Sequence, residues 1–150
     1  MGSFEVESTR HKDAFNILGD FDEKTDEAMD DMLVAQAEVF KKKIKYNATA
    51  MLNEKGFSKR LTAESVTVGK PKRIRASKGR GKQISIYFRG SRNNGDGKAK
   101  NSEVAFLNEF GTKKMPGRQF IKSALVSEAE TAEIEMTKEF DNLLREIYDE

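Results

Sequence analysis

From Asp22 to about Asn53 the apolar residues stand at Met29, Met32, Leu33, Phe40, Ile44, Ala48, Met51 and Leu52, with Gln36 as the polar exception. Steps of three and four put them on one face of a helix, so this spacing predicts a long amphipathic α-helix. Its acidic first half and Lys-rich second half suit the helix dipole, and Gly56 is a natural cap beyond its end. About 30 residues rising 1.5 Å each would span roughly 45 Å. A helix that long either bends near Tyr46 and Asn47 or lends part of its length to another subunit.

The period then changes. Leu61 to Val68 is rich in β-branched residues with partial alternation, and Ile84, Ile86 and Phe88 alternate cleanly, so both stretches predict strands. Between Lys72 and Arg89 the simplest reading is a basic β-hairpin turning at the two glycines of 78–82, with Pro71 at its start, where a missing N–H is tolerated. Residues 90–102 hold no apolar side chain larger than Ala and are expected to form a mobile loop. Phe120, Ile121, Ala124, Leu125, Ala129, Ala132, Met136, Phe140, Leu143, Leu144 and Ile147 return to helical spacing, predicting a second amphipathic helix from about Arg118 to Ile147. The expectation is a single α+β domain over residues 1–150: a small antiparallel sheet with a basic hairpin, packed by a long N-terminal helix and a C-terminal helix. Residues 1–20 are expected to be a flexible arm.

Composition narrows the core. Charged residues make up 35% of the chain, where about 25% is common. Leu, Ile, Val and Phe together are 33 of 150 residues, or 22%, just above the roughly 20% below which a charged chain stays unfolded. With no Cys and a single histidine, His11, the chain cannot build thiolate metal sites, disulfides, Cys nucleophiles or most triads. No apolar run approaches 18 residues and the opening stretch has no apolar core, so a soluble protein made and kept in the cytosol, without a membrane partner, is expected.

Charge is laid out in blocks. Asp20 to Phe40 carries a net −7, Lys41 to Arg60 a net +6, Gly69 to Arg92 nine cations and no acid, and Val126 to the end a net −7. Such a mosaic fits complementary blocks on neighbouring chains, or faces that are merely solvated. No catalytic residue, cofactor site or metal site is assigned. The Gly-Lys pairs at 69–70, 81–82 and 97–98 lack the following Ser or Thr and the glycine spacing of a phosphate loop. The acidic residues sit in dense helical runs with nothing to separate their pKa values. The basic cluster Lys70, Lys72, Arg73, Arg75, Lys78, Arg80 and Lys82, extended by Arg89 and Arg92, is a stronger signal. It suits an acidic protein partner or assembly, a solvated hairpin, or sequence-independent contact with a nucleic-acid backbone. With only Tyr87 and Phe88 nearby it offers no stacking platform for single strands.

The most informative segment is 104–125, VAFLNEFGTKKMPGRQFIKSAL. Val104, Phe106, Leu107 and Phe110 are expected to cluster tightly, Gly111 allows a positive-φ turn, Pro116 and Gly117 make another, and Phe120 restarts an apolar face. Glu109 sits among apolar residues beside the turn. Its carboxylate is costly to bury unless turn N–H groups or Arg118 satisfy it.

This segment resembles the signature of a family of small tailed-phage proteins, variously minor capsid, head-tail joining or tail-completion components of siphophages. The matching residues are Phe106, Glu109, Phe110, Gly111, Thr112, Met115, Pro116, Arg118, Phe120, Ala124 and Leu125; the residue before Phe120 is Gln119, where the family usually has Pro. The wider layout of long helix, hairpin, signature and final helix is similar too. The resemblance implies a non-enzymatic structural protein of the virion neck, assembled in the host cytoplasm. It also implies other neck and tail proteins as partners, and a homo-oligomeric ring formed from subunits that can be monomeric when free. On this reading the basic hairpin and residues 90–102 form the assembly surface. The alternative is a nucleic-acid-binding module using residues 70–92.

Overall fold

A computed structural model of the chain describes residues 4–6, 23–52, 59–74, 81–93 and 97–148. The fold is α+β, with the long N-terminal helix, a small antiparallel sheet and a C-terminal helix as its main parts.

Helix α1 (Glu23–Met51) runs 29 residues without a break, about 43 Å at 1.5 Å per residue. The helix is continuous through Tyr46 and Asn47, and core partners line it from Met29 to Leu52. Leu33, Ala37, Phe40, Ile44 and Ala48 supply one side of the core, while Met32 joins Met136 in a satellite cluster with Met29 and Phe140. Asn47 is held by its own side chain, whose Nδ2 donates to the Phe120 carbonyl at 3.0 Å. The cap expected at Gly56 lies outside the described residues.

The sheet is built around β4 (Lys82–Phe88). Ile84, Ile86 and Phe88 are buried and the residues between them half-buried, as two-residue alternation requires of a strand covered on one face. On one edge β1 (Phe4–Val6) pairs antiparallel with residues 84–86, so at least this part of the expected flexible arm is a strand. Residues 7–20 lie outside the described residues. On the other edge β2 (Val66–Val68) pairs with 86–88 and β3 (Lys72–Arg73) with 82–83, and Ile74 N–H reaches the Gly81 carbonyl at 2.8 Å. The register slips by one residue between β2 and β3, a bulge at Lys70 and Pro71, where the proline's missing N–H costs no ladder bond. The hairpin's basic tip, with Arg75, Lys78 and Arg80, lies outside the described residues.

Three expectations change. Leu61 to Val68 is not one strand: Lys59–Ser65 forms helix α2 and only Val66–Val68 is β2. The apparent alternation came from Leu61, Ala63, Val66 and Val68, yet Leu61 is exposed while Thr62 and Ala63 are adjacent and buried, a helical arrangement. Much of the stretch 90–102, expected as a loop, forms a second hairpin of β5 (Ser91–Asn93) and β6 (Lys98–Lys100), followed directly by helix α3 (Asn101–Phe110). Finally, the predicted last helix is two, α4 (Phe120–Ser127) and α5 (Ala129–Tyr148), meeting at Glu128.

Helix α5 lies antiparallel along α1, since Glu128 meets Lys43 at one end while Met136 meets Met32 further along. Phe120, fully buried, stands edge-on to Phe88 at 6.1 Å between ring centres and ties α4 to the sheet. Burying such a side chain contributes about 1.5 to 3 kcal/mol.

Candidate assembly site

Between α3 and α4 the chain makes an elbow of two tiny strands, β7 (Gly111–Thr112) and β8 (Met115–Pro116), joined by Lys113 and Lys114. Thr112 Oγ1 accepts the Lys114 N–H at 3.2 Å and steadies the turn. Gly111 has φ +81° and ψ −177°, a backbone region essentially restricted to glycine. A Cβ there would also sit 2.5 Å from the Gly117 nitrogen and the Met115 oxygen, and one on Gly117 would sit 2.6 Å from the Glu109 oxygen. The two glycines mark where the chain crosses itself without room for a methyl group.

Glu109 closes this elbow. It is 3% exposed, and its carboxylate accepts the backbone N–H of Ile121 at 2.8 Å and of Lys122 at 2.9 Å. These are orphan donors in the first turn of α4, so an acid at the end of one helix caps the start of the next. In return the N–H groups of Arg118 and Gln119 donate to the carbonyls of Asn108 and Glu109, at 2.7 and 3.1 Å, satisfying the last turn of α3. Arg118, considered as the acid's partner, instead sends Nη1 3.0 Å to the Met51 carbonyl and caps α1. Gln119 has φ +47°, whereas a proline ring fixes φ near about −65°; the chain reaches α4 by a turn that proline cannot make.

The expected apolar cluster of Val104, Phe106, Leu107 and Phe110 separates. Val104 is buried with Ala105, Asn108 and Glu109, but Phe106 is 48% and Phe110 61% exposed and Leu107 is exposed beside them. The two phenyl rings, one helical turn apart, lie 4.8 Å centre to centre and face outward. Among the other motif residues, Phe120 and Ala124 are fully buried, Leu125 packs on the core, and Thr112 and Pro116 are exposed. The motif thus divides into a buried lock around Glu109 and Phe120 and an exposed aromatic face on the other side of α3.

No protein family, curated protein or solved structure matches the chain.

The basic patch is partly neutralised from within the chain. Lys82 Nζ lies 2.6 Å from Asp30 and 2.9 Å from Asp26 with its side chain only 7% exposed, and Arg73 reaches Asp26 at 3.1 Å. The hydrogen bond from Lys82 does most to hold the Asp26 carboxyl below its usual 3.8, against the opposing pull of partial burial. Burial pulls the Lys82 ammonium down, but the bonds to Asp30 and Asp26 outweigh it and its pKa rises above 10.5. Arg92, counted with the patch, is buried; its Nε donates to Asn101 Oδ1 at 2.9 Å and its Nη2 to Thr62 Oγ1 at 2.7 Å. Burial lowers its pKa, yet a guanidinium remains charged at neutral pH. Lys70 and Lys72 are exposed, as is Arg89.

The charge blocks therefore complement one another inside the molecule, α1's acids against β3 and β4, and α1's Lys43 against Glu128 at 3.7 Å. An open groove of about 620 Å³ between α1 and α5 is lined by the same mixture, including Lys42, Lys43, Tyr46, Glu128 and Glu135. Lys43 also stands 5.1 Å over the Tyr46 ring, so within the groove it is engaged by both Glu128 and Tyr46. Among the described residues no cluster of His, Cys, Asp and Glu could hold a metal ion, and no helix is long and apolar enough to cross a membrane.

Proposed function

We infer that this chain is a structural subunit of a tailed-phage virion, serving in the neck where a siphophage tail is completed or joined to the head. It works by assembling with copies of itself and with flanking neck and tail proteins, not by catalysis. The observation that carries this reading is the aromatic face of α3: Phe106, Leu107 and Phe110 stand in solvent on a helix whose opposite side is locked in place by Glu109. A chain with so little apolar content gains nothing from exposing two adjoining phenyl rings unless a partner covers them, and contiguous exposed apolar surface marks interaction sites. The resemblance of residues 106–125 to the phage signature supplies the biological setting. Those residues act as one unit, with the fold-defining acid, glycine and phenylalanine inside it.

Deleting the gene from the phage or prophage that carries it tests the assignment. Electron micrographs should then show filled heads and unattached tails, and intact joined particles would overturn the reading.

A further inference from the structure

We propose that two copies of this chain pair through α3 about a twofold axis, their Phe106–Phe110 faces antiparallel and Glu103 of each copy against Lys113 and Lys114 of the other. The proposal rests on the assembly role above and names the partner and the register of this face. Glu103, Phe106, Leu107 and Phe110 are the exposed residues of α3, and steps of three and four join them into one stripe along the helix. The centre of the stripe is apolar. Its ends carry opposite charge: Glu103 stands in the first turn of α3, and exposed Lys113 and Lys114 form the turn between β7 and β8 just beyond the last. Among the described residues nothing holds the Glu103 carboxylate or the two ammonium groups.

This layout is complementary to itself in one orientation. Positions 106 and 110 are centred on 108, and so are positions 103 and 113. An antiparallel pair with its axis at that level sets Phe106 against Phe110 of the other copy, keeps Leu107 close to its own counterpart, and brings an acid to two cations at both ends. Asn108 and Glu109 lie at the same level but are buried in their own subunit, where Asn108 bonds the Val104 carbonyl and Glu109 the start of α4, so neither meets the seam. A parallel pair would align like charges, Glu103 on Glu103 and lysines on lysines. The exposed Val126 and Ile134 offer α3 no such polarity. Lys122 precedes Val126 by one turn, and Ile134 lies one turn from both Glu130 and Lys138, so charges of both signs surround them.

The face is also preformed. The Asn101 N–H donates to the Gly90 carbonyl at 2.9 Å and Asn101 Nδ2 to the Arg89 carbonyl at 2.7 Å, which fixes the start of α3, while Glu109 fixes its end. Docking therefore spends little on ordering the helix that carries the rings. A helix of ten residues is about 15 Å long and offers less than the roughly 800 Å² per partner of a standard interface, so the dimer is weak. An isologous contact closes at two copies, and any larger ring uses other surfaces.

Charge swapping within one chain is the experiment. Light scattering up to about 1 mM should show the mass rising from 16.9 kDa toward twice that value. Phe106→Asp should abolish the rise. Glu103→Lys, and separately Lys113→Glu with Lys114→Glu, should each raise the dimer Kd about tenfold. All three changes in one chain should return Kd to near the wild-type value, because each copy again meets its complement. Circular dichroism shows that each variant is folded, which changes at exposed positions should allow. Since the chain has no cysteine, Leu107→Cys should cross-link to itself on oxidation, while Phe106→Cys and Phe110→Cys should give little product alone and a heterodimer on mixing.

A wild-type chain that stays monomeric over this range overturns the proposal. So does a triple variant that associates no better than its parents, a Phe106→Asp variant that still dimerises, or a Leu107→Cys chain that does not cross-link. Each of these results leaves the neck role standing. Joined particles from the gene deletion remove the neck role whatever the pairing does.

Discussion

The carboxylate of Glu109 meets two backbone N–H groups in a buried elbow, whereas those of Asp26 and Asp30 meet the side chains of Lys82 and Arg73 near the surface. Both fasten a helix to a neighbouring element. In the elbow both donors are placed by the main chain and only the Glu109 side chain has to be ordered, so the two bonds tie the end of α3 to the start of α4. In the clasp the long lysine and arginine stems must be ordered first, and solvent screens what is gained. The comparison teaches that this small core is positioned by backbone-directed contacts, with side-chain ion pairs adding little beyond complementarity.

The comparison is broken most severely at Gly111. Gly111→Ala adds a Cβ at 2.5 Å from backbone atoms in a region of φ and ψ that costs about 1 to 3 kcal/mol by itself, and should lose about 4 kcal/mol in urea unfolding. Glu109→Ala leaves the Ile121 and Lys122 donors without their acceptor and should cost about 3 kcal/mol, with Glu109→Gln recovering part of it. Combined with Gly111→Ala it should cost less than the sum, because both act on one elbow, while combined with Lys82→Met it should be additive. Arg118→Ala removes the cap on Met51 and should cost about 1.5 kcal/mol.

The clasp gives the smallest effect. Lys82→Met or Asp26→Asn should cost under about 1 kcal/mol, less still in high salt. The pH dependence has a definite sign. Asp26 has a lower pKa folded than unfolded, so its contribution is present above about 3.8 and fades as pH falls below that value. Lys82 is raised, so its contribution is present below 10.5 and fades as pH climbs past it. Urea midpoints of wild type and Asp26→Asn should therefore converge below about pH 3.8, and a gap that persists there would show that the clasp acts through something other than this charge.

How far the sequence disclosed this arrangement follows the same division. The long helix was legible because Met29 to Leu52 repeat at three and four, and β4 because Ile84, Ile86 and Phe88 repeat at two; periodicity reports burial against a neighbour. Glu109 was legible as an acid needing donors, since nothing else explains a carboxylate between apolar residues at a turn. Backbone N–H groups were one of the two partners expected for it, but which ones stayed hidden, because Ile121 and Lys122 contribute only main-chain atoms, which no residue type announces. The hairpin of β5 and β6 was missed because polar contacts hold its first strand and the junction to α3. Arg92 reaches Asn101 and Thr62, and Asn101 Nδ2 donates to the Arg89 carbonyl at 2.7 Å. Such contacts have no period and look like a loop in the sequence. The exposure of Phe106 and Phe110 was missed for the converse reason: an aromatic on a helix is ordinarily core, and here the buried face is taken by Val104, Ala105, Asn108 and Glu109.

Two hydrogen bonds join the far end of α1 to the elbow, Asn47 to the Phe120 carbonyl and Arg118 to the Met51 carbonyl. They bracket the last turn of α1 and the first turn of α4, residues more than sixty positions apart in the chain. Opening either turn breaks the other's restraint, so amide protons on the two should exchange with solvent at one common free energy, as a single cooperative unit.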